Sequence, residues 1–317
     1  MGNTKLAVGL VDDSGRIALQ TRVRTPVREG SAAAVDRLIT MGKEVLAASP
    51  SPVAGLGIAF GGMVDKARRI ALASPNFPQW QAVPLVEILA EATGLPAAMD
   101  NDANAGALAE AWVGEGVGCS EFVYLTVSTG VGGAFVWDGR LLRGHDGLAG
   151  EIGHMSIMPD GPPCGCGKQG CLESLVSGPA IAREAERRLA GWGSASLLHS
   201  LARTRGGLTG ADVHEAARQG DPIALAVLAQ AGTYLGIGIA NAANLLNPAC
   251  FILGGGVVGS WEFIYPALRR AFKEHAVRDL GERTPVKAAS AHLDVGLIGA
   301  AAVFREAEAG ALPAMTA

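Results

Sequence analysis

Three of the chain's five cysteines fall within eight residues, Cys164-Gly-Cys166-Gly-Lys-Gln-Gly-Cys171. His154 lies ten positions upstream and Glu173 two positions beyond the last thiol. Thiolates separated by one and by four residues can converge on one ion, and an imidazole supplies the fourth corner of a tetrahedron. Such a Cys3His set suits Zn2+, and four protein ligands leave no open position for a reactive water. The expected ion is therefore structural: it fixes a loop, and chemistry sits beside it. The alternative is a set of packed or disulfide-paired thiols. A cysteine-poor chain with no secretory segment argues against disulfides, and glycines between the thiols suit a metal knuckle better than a packed core. Cys119 and Cys250 stand alone in apolar surroundings and read as inert core thiols.

At 317 residues the chain has room for two domains of ordinary size. Charged residues are only 18% of it, the net charge is −4, and no basic run marks a nucleic-acid partner. No apolar stretch approaches the roughly 18 residues of a membrane span, and no charged-then-apolar leader opens the chain, so a cytoplasmic location is expected. Gly2 is not a myristoylation signal, because Leu6 stands where that pattern needs Ser or Thr.

The glycines cluster after β-like runs, at Gly61-Gly62, Gly130 to Gly133 and Gly254-Gly255-Gly256. Glycine at a strand end lets backbone approach a ligand closely and aims N–H groups outward, which suits a phosphate-bearing ligand. A structural turn is the competing reading at each. Alternation and turn residues predict a hairpin over 6–11 and 16–23, then strands over 53–60, 96–99, 122–127, 133–137, 249–253 and 286–289. Helical spacing covers 31–48, 83–92, 103–112, 180–189, 210–218, 222–246, 262–274 and 299–309. Hairpin strands followed by alternating helices, twice over, predict two α/β halves around a cleft. No Walker A motif exists: Gly161 to Lys168 has the wrong spacing, with Gln169 where Ser or Thr belongs.

The segment from Glu151-Ile-Gly-His154 through Cys164, Cys166 and Cys171 to Glu173 resembles the signature of the repressor–ORF–kinase (ROK) family of sugar kinases. So does Asn101-Asp102-Ala-Asn104 ahead of an alanine-rich helix. Thr129-Gly130-Val-Gly132-Gly133 and Gly254-Gly255-Gly256 resemble the family's nucleotide segments. The resemblance implies a two-domain actin-like ATPase (ribonuclease H-like) fold. Its small domain would be residues 1–109, completed by helix 298–317, and its large domain 110–297 with the zinc knuckle. It also implies a hexose and ATP as ligands, Mg2+, structural Zn2+ on His154, Cys164, Cys166 and Cys171, and a homo-oligomer, dimer or tetramer.

By the same resemblance Glu151, His154 and Glu173 hold one side of the sugar and Asn101 and Asp102 the other, with Asn76 and Gly62 as further contacts. Thr4, Lys5, Thr129, Gly130, Gly132, Gly133, Gly254, Gly255 and Gly256 would line the nucleotide. Asp102 is the implied catalytic base, accepting the hydrogen bond of the nucleophilic hydroxyl. The bland alternative makes Asp102 only a helix N-cap. The leading expectation is transfer of phosphate from ATP to the 6-hydroxyl of glucose. Kinases of N-acetylmannosamine or N-acetylglucosamine, and a non-catalytic sugar sensor, are the alternatives. A DNA-binding repressor would need a basic helix-turn-helix segment ahead of this body, and none is present.

The pattern breaks at the start. The family opens with a strand ending Asp-x-Gly-Gly-Thr-Lys, and this chain opens Met1-Gly2-Asn3-Thr4-Lys5. The strand and its Asp, on the magnesium side, fall before Met1. The expectation is a natural chain longer by one strand, since Thr4-Lys5 and the hairpin stay in register.

Overall fold

The structure is a computed structural model that describes residues 1–2, 5–75, 77–191, 196–290 and 294–309. The chain divides into two compact units. Unit 1 is Met1–Glu121, Ala134–Ala149 and Ser290–Ala317, and unit 2 is Phe122–Gly133 and Gly150–Ala289. The expected boundary at 109/110 would cut a continuous helix, Asp102–Val113, that stays whole in unit 1. Residues 134–149, expected in the large domain, also belong to unit 1.

Unit 1 opens with the antiparallel hairpin β1 (Lys5–Val11) and β2 (Ile17–Arg24). Its turn is closed by Asp12, whose Oδ1 accepts the N–H groups of Ser14 and Arg16, both at 3.0 Å. Helix α1 (Gly30–Ala47) follows, then β3 (Leu56–Phe60), the short pair β4 (Met63–Val64) and β5 (Ala71–Ala73), and α2 (Leu85–Thr93). Next come β6 (Ala97–Asn101) and α3 (Asp102–Val113). Strands β3 and β6 run parallel with Phe60 opposite Asn101, so the Gly61-Gly62 corner and the Asn101-Asp102 corner leave the sheet side by side. Leu6, Phe60, Phe77, Trp80, Leu85 and Met99 form the core beneath them.

The backbone of Met1 bonds to the end of β3: its amine donates to Ala59 O, and Gly61 N–H donates to Met1 O at 2.9 Å. Contact with the residues on either side of Phe60 is the parallel-ladder pattern. Burial pushes the Met1 amino group below its ordinary pKa, although Asp102 and Asp294 act to raise it. A cavity of about 1390 Å³ in unit 1 is lined by β1 residues such as Val8 and Leu10, by β3 residues such as Gly57 and Ile58, and by Leu297 and Ala300.

Unit 2 begins with β7 (Phe122–Val127), and β8 (Val131–Trp137) carries the chain back into unit 1, where it pairs with β9 (Arg140–Leu141). The large sheet has the order β11-β10-β7-β8-β9, with β10 (Cys250–Gly254) parallel to both β7 and β11 (Val286–Ala288). Gly254 stands opposite Thr126, which brings the second nucleotide-type glycine cluster beside the first. Helices α4 (Leu172–Val176), α5 (Gly178–Leu189), α6 (Leu197–Arg205) and α7 (Gly210–Arg218) precede α8 (Pro222–Leu246). Helices α9 (Trp261–His275) and α10 (Leu280–Arg283) come after β10, and α11 (Val295–Ala309) returns to unit 1.

Helix α8 corrects one reading of the sequence. Its 25 residues carry no charge and meet the length and composition of a membrane span. Its apolar surface is mostly buried within the protein, however, and glycines let it lie against α9: a Cβ at Gly232 would sit 2.3 Å from Ile264 O. In unit 1, α11 approaches β3 as closely, since a Cβ at Gly57 would fall 1.7 Å from Ala300 O.

Candidate active site

The four expected metal ligands converge. Among the described residues, the ligand atoms of His154, Cys164, Cys166 and Cys171 lie within 4.8 Å of one another. Cys164 Sγ is 3.7 Å from His154 Nδ1, and Cys166 Sγ is 3.6 Å from Cys171 Sγ. A tetrahedron with metal–sulfur bonds of 2.3 Å has edges of about 3.8 Å, so the cage is the right size for zinc. Burial pushes the Cys164 thiol up to about 12 and raises Cys171 as well, whereas the Lys168 N–H holds exposed Cys166 below the ordinary value. A cation among them would reverse the burial penalty on the thiolates.

The knuckle positions its flanking acids. Glu151 precedes a 3-10 turn at Ile152–His154, and its exposed carboxylate lies 3.8 Å from His154 Nε2, the ring nitrogen on the side away from Cys164. Glu173 sits in the first turn of α4, which starts at the last thiol. Its Oε2 accepts the Val131 N–H at 2.9 Å, and its Oε1 lies 3.7 Å from Cys164 Sγ.

The glycine clusters pack onto the same region of unit 2. A Cβ at Gly130 would stand 2.6 Å from Glu173 Oε2, and one at Gly133 would meet Ile152 at 2.5 Å and Gly150 O at 2.6 Å. Gly255 has φ +89° and would place a Cβ 2.4 Å from Val127 O, so both conformation and space require glycine there. Gly256 has room for a side chain, its nearest neighbour being Ser128 Oγ at 3.8 Å. Thr129, Gly255 and Gly256 are exposed, Gly130 and Gly132 half-buried, and Gly254 buried.

In unit 1 the β6–α3 corner settles which residue caps the helix. Asn101 is the N-cap, with its side chain accepting the Asn104 N–H at 2.7 Å, and Asp102 is the first helical residue with an exposed side chain. The N-cap alternative for Asp102 is thereby replaced. Asp102 Oδ2 lies 3.6 Å from where a Cβ on Gly61 would be. At Gly62 a Cβ would meet Ala73 O at 2.2 Å, so packing against β5 already requires that glycine. Lys5 is exposed at the start of β1, while Thr4 and Asn76 lie outside the described residues.

The profile of the ROK family matches residues 1–307. The chain belongs to the ROK family. It is 35% identical over 306 residues to the glucokinase of Thermotoga maritima, covering 96% of this chain and 96% of that protein. It is also 35% identical over 257 residues to an N-acetylmannosamine kinase of Escherichia coli, with 81% of each covered. A crystal structure of a ROK family glucokinase from Streptomyces griseus in complex with glucose and AMPPNP superposes with a TM-score of 0.81, at 35% identity and 95% and 96% coverage. The α/β actin-like ATPase fold expected from the resemblance is the fold of this ROK protein.

One group of residues in this ROK protein carries no sequence signature. Asp100, fully buried one residue before Asn101, accepts hydrogen bonds from Arg143 at 2.9 Å, Arg68 at 3.4 Å and the Asn104 side-chain amide at 2.8 Å. Arg143 and Arg68 also reach Glu306 of α11. Two guanidinium groups and two buried carboxylates form a neutral quartet that fixes the corner presenting Asn101 and Asp102. Burial alone would lower the Arg143 pKa, but Glu306 and Asp100 outweigh it and raise it. Arg68 adopts φ 57° in the turn between β4 and β5, where its N–H donates to Asp65 O at 2.8 Å.

Proposed function

We infer that this protein is an ATP-dependent sugar kinase that transfers phosphate to the 6-hydroxyl of a hexose, with glucose as the preferred substrate. One observation carries the reading. Asn101 takes over the capping of α3, so the exposed Asp102 carboxylate is presented at the helix start on a corner locked by buried ion pairs. Phosphoryl transfer proceeds through a loose transition state and depends on alignment and charge stabilisation more than on covalent chemistry. Asp102 accepts the hydrogen bond of the attacking hydroxyl, orients its oxygen and takes the proton late in the transfer.

Glu151, His154 and Glu173 would accept and donate to the remaining sugar hydroxyls, and Asn101 would add its amide. The Thr129–Gly133 turn supplies N–H groups for phosphate oxygens, and Gly254–Gly256 lies along the nucleoside. Zinc on His154, Cys164, Cys166 and Cys171 supplies rigidity to the segment bearing Glu173, and Mg2+ supplies positive charge to the phosphates. The glucokinases among the relatives support glucose. The N-acetylmannosamine kinase of Escherichia coli supports a second reading, in which the 2-substituent of the sugar is an acetamido group. The reading includes a cytoplasmic, homo-oligomeric enzyme, for which exposed Leu245 and Val277 offer apolar contact surface.

A coupled ADP-release assay over a hexose panel tests the proposal. ADP formation should depend on one sugar, and Asp102→Asn should lower kcat by about 10²–10⁴-fold with sugar binding retained. Sugar binding with no turnover in the unaltered protein would instead make it a sensor.

A further inference from the structure

Glu173 joins the metal knuckle to the glycine turn. Its Oε1 lies 3.7 Å from Cys164 Sγ in the metal knuckle, and its Oε2 accepts the N–H of Val131 in the glycine turn at 2.9 Å. The contact is close-fitting, because even a methyl group at Gly130 would come within 2.6 Å of Oε2. The turn is tied to the same helical segment a second time. Ser128 N–H donates to Gly130 O at 2.8 Å, and Ser128 O accepts the N–H of Gly178, at the start of α5 directly after α4, also at 2.8 Å. Turn and carboxylate therefore cannot shift independently.

The charges give this link a sign. A carboxylate resting on a backbone N–H of the phosphate turn opposes the approach of phosphate to that edge. A ligand hydroxyl that donates to the carboxylate draws off part of its negative charge and weakens the opposition. We propose that Glu173 couples the two ligands: a sugar bound to its carboxylate makes the Gly130–Val131 turn a better phosphate site. By linkage, nucleotide then tightens sugar binding by the same factor. This rests on the sugar-kinase reading and goes beyond it, since separate sugar and nucleotide contacts would imply no cooperation. Gly130 becomes a positioning residue that keeps Glu173 on the turn, and nucleotide without sugar is held weakly.

Isothermal titration tests the proposal. Each of two probes, glucose and Mg2+–AMPPNP, is titrated alone and again with the other saturating, and N-acetylmannosamine replaces glucose if glucose does not bind. The unaltered protein should show cooperation of roughly 5- to 20-fold, toward the low end for coupled sites. Gly130→Ala should bring this close to onefold, whatever it does to the affinity of each probe titrated alone, with zinc content unchanged. Should that variant fail to fold, Glu173→Gln serves. Its amide oxygen still accepts the Val131 N–H, but the charge is gone and cooperation should fall. Independent binding in the unaltered protein, or full cooperation in either variant, overturns the coupling and leaves the kinase reading intact. Failure of both sugars to bind overturns the kinase reading itself.

Discussion

Replacing Cys166 with serine isolates ligation from packing, because Cys166 is exposed whereas Cys164 and Cys171 are buried. No core cavity is created, and the exchange removes the thiol that the Lys168 N–H makes most acidic of the three. Structural zinc in small sites contributes about 10–16 kcal/mol near neutral pH. Divided over the four ligands brought together here, one thiolate is worth about 2.5–4 kcal/mol. That is roughly two to three decades in metal affinity. The chelator concentration that strips half the zinc from Cys166→Ser should fall by that factor.

Loss of the metal should also be felt at Glu173, two residues past Cys171. Backbone bonds such as Cys164 N–H to Lys168 O at 2.8 Å and Gly170 N–H to Pro162 O at 2.9 Å hold the loop between the thiols, but none of them fixes the thiol side chains. The KM for sugar should therefore rise more than the KM for ATP, and the melting temperature should drop. Metal content by mass spectrometry, thermal melting and steady-state kinetics report the three effects. Stoichiometric zinc that resists the chelator as before, with unchanged melting, would refute the ligand assignment and the knuckle's role in placing Glu173.

Arg143→Met leaves Asp100 and Glu306 with one guanidinium between them and should destabilise unit 1 by about 3–5 kcal/mol. Arg143→Lys keeps the charge but not the fork, and its kcat should fall further than its melting temperature accounts for; kcat unchanged would show that the quartet only stabilises. Asp221 caps α8, accepting the N–H groups of Ile223 and Ala224 at 3.0 Å. Burial alone would raise its pKa, but the Ser196 hydroxyl and the surrounding N–H groups outweigh it and lower it. A lowered carboxyl pKa gives stability that is complete above the unfolded value near 4 and lost as pH falls through the folded value. Asp221→Ala should therefore cost about 1 kcal/mol at pH 7, and urea unfolding should show the gap narrowing below about pH 4; a constant gap would contradict this. Appending a six-residue alternating Val-Thr segment ahead of Met1 should continue the parallel ladder begun at Ala59 and Gly61 into the adjoining cavity. Melting should rise by roughly 2–4 °C per kcal/mol gained, and a proline-interrupted segment, lacking ladder N–H groups, should give no rise.

Elements with explicit end signals were legible in the sequence. The 210–218 and 222–246 helices have the bounds read from it, because Thr209 and Asp212 form a capping box and Asp221 caps the helix that Pro222 opens. Helix α4 was not legible: five residues are too few for a helical period, and its start is set by the knuckle. Sequence named Cys164, Cys166, Cys171 and His154 through local spacing, and the structure brings their ligand atoms together. It could not name Arg143, which meets Asp100 from 43 positions away, or Glu306, which meets Arg143 from 163 positions away, with no motif linking them. Gly133 was legible as glycine in a turn, but its neighbours are Ile152 and Gly150, so packing of the segment that carries Glu151 also demands it.

The acidic residues divide by what surrounds them, and that division separates those that fix the fold from those left open to a ligand. Asp100 and Glu306 are buried against arginines and fix a corner; their charge is already compensated, so a ligand would gain little from them. Glu151 and Asp102 are exposed, each placed by a neighbour that is itself held: His154 beside Cys164 for one, the Asn101 cap for the other. Glu173 lies between these extremes, half-buried with one oxygen on a backbone N–H. A carboxylate so placed is anchored well enough to orient a hydroxyl and near enough to the glycine turn to be felt there. If this ordering governs function, neutralising Asp100 should be felt first in alignment, Glu151 in sugar affinity, Asp102 in the chemical step, and Glu173 in the dependence of each ligand on the other.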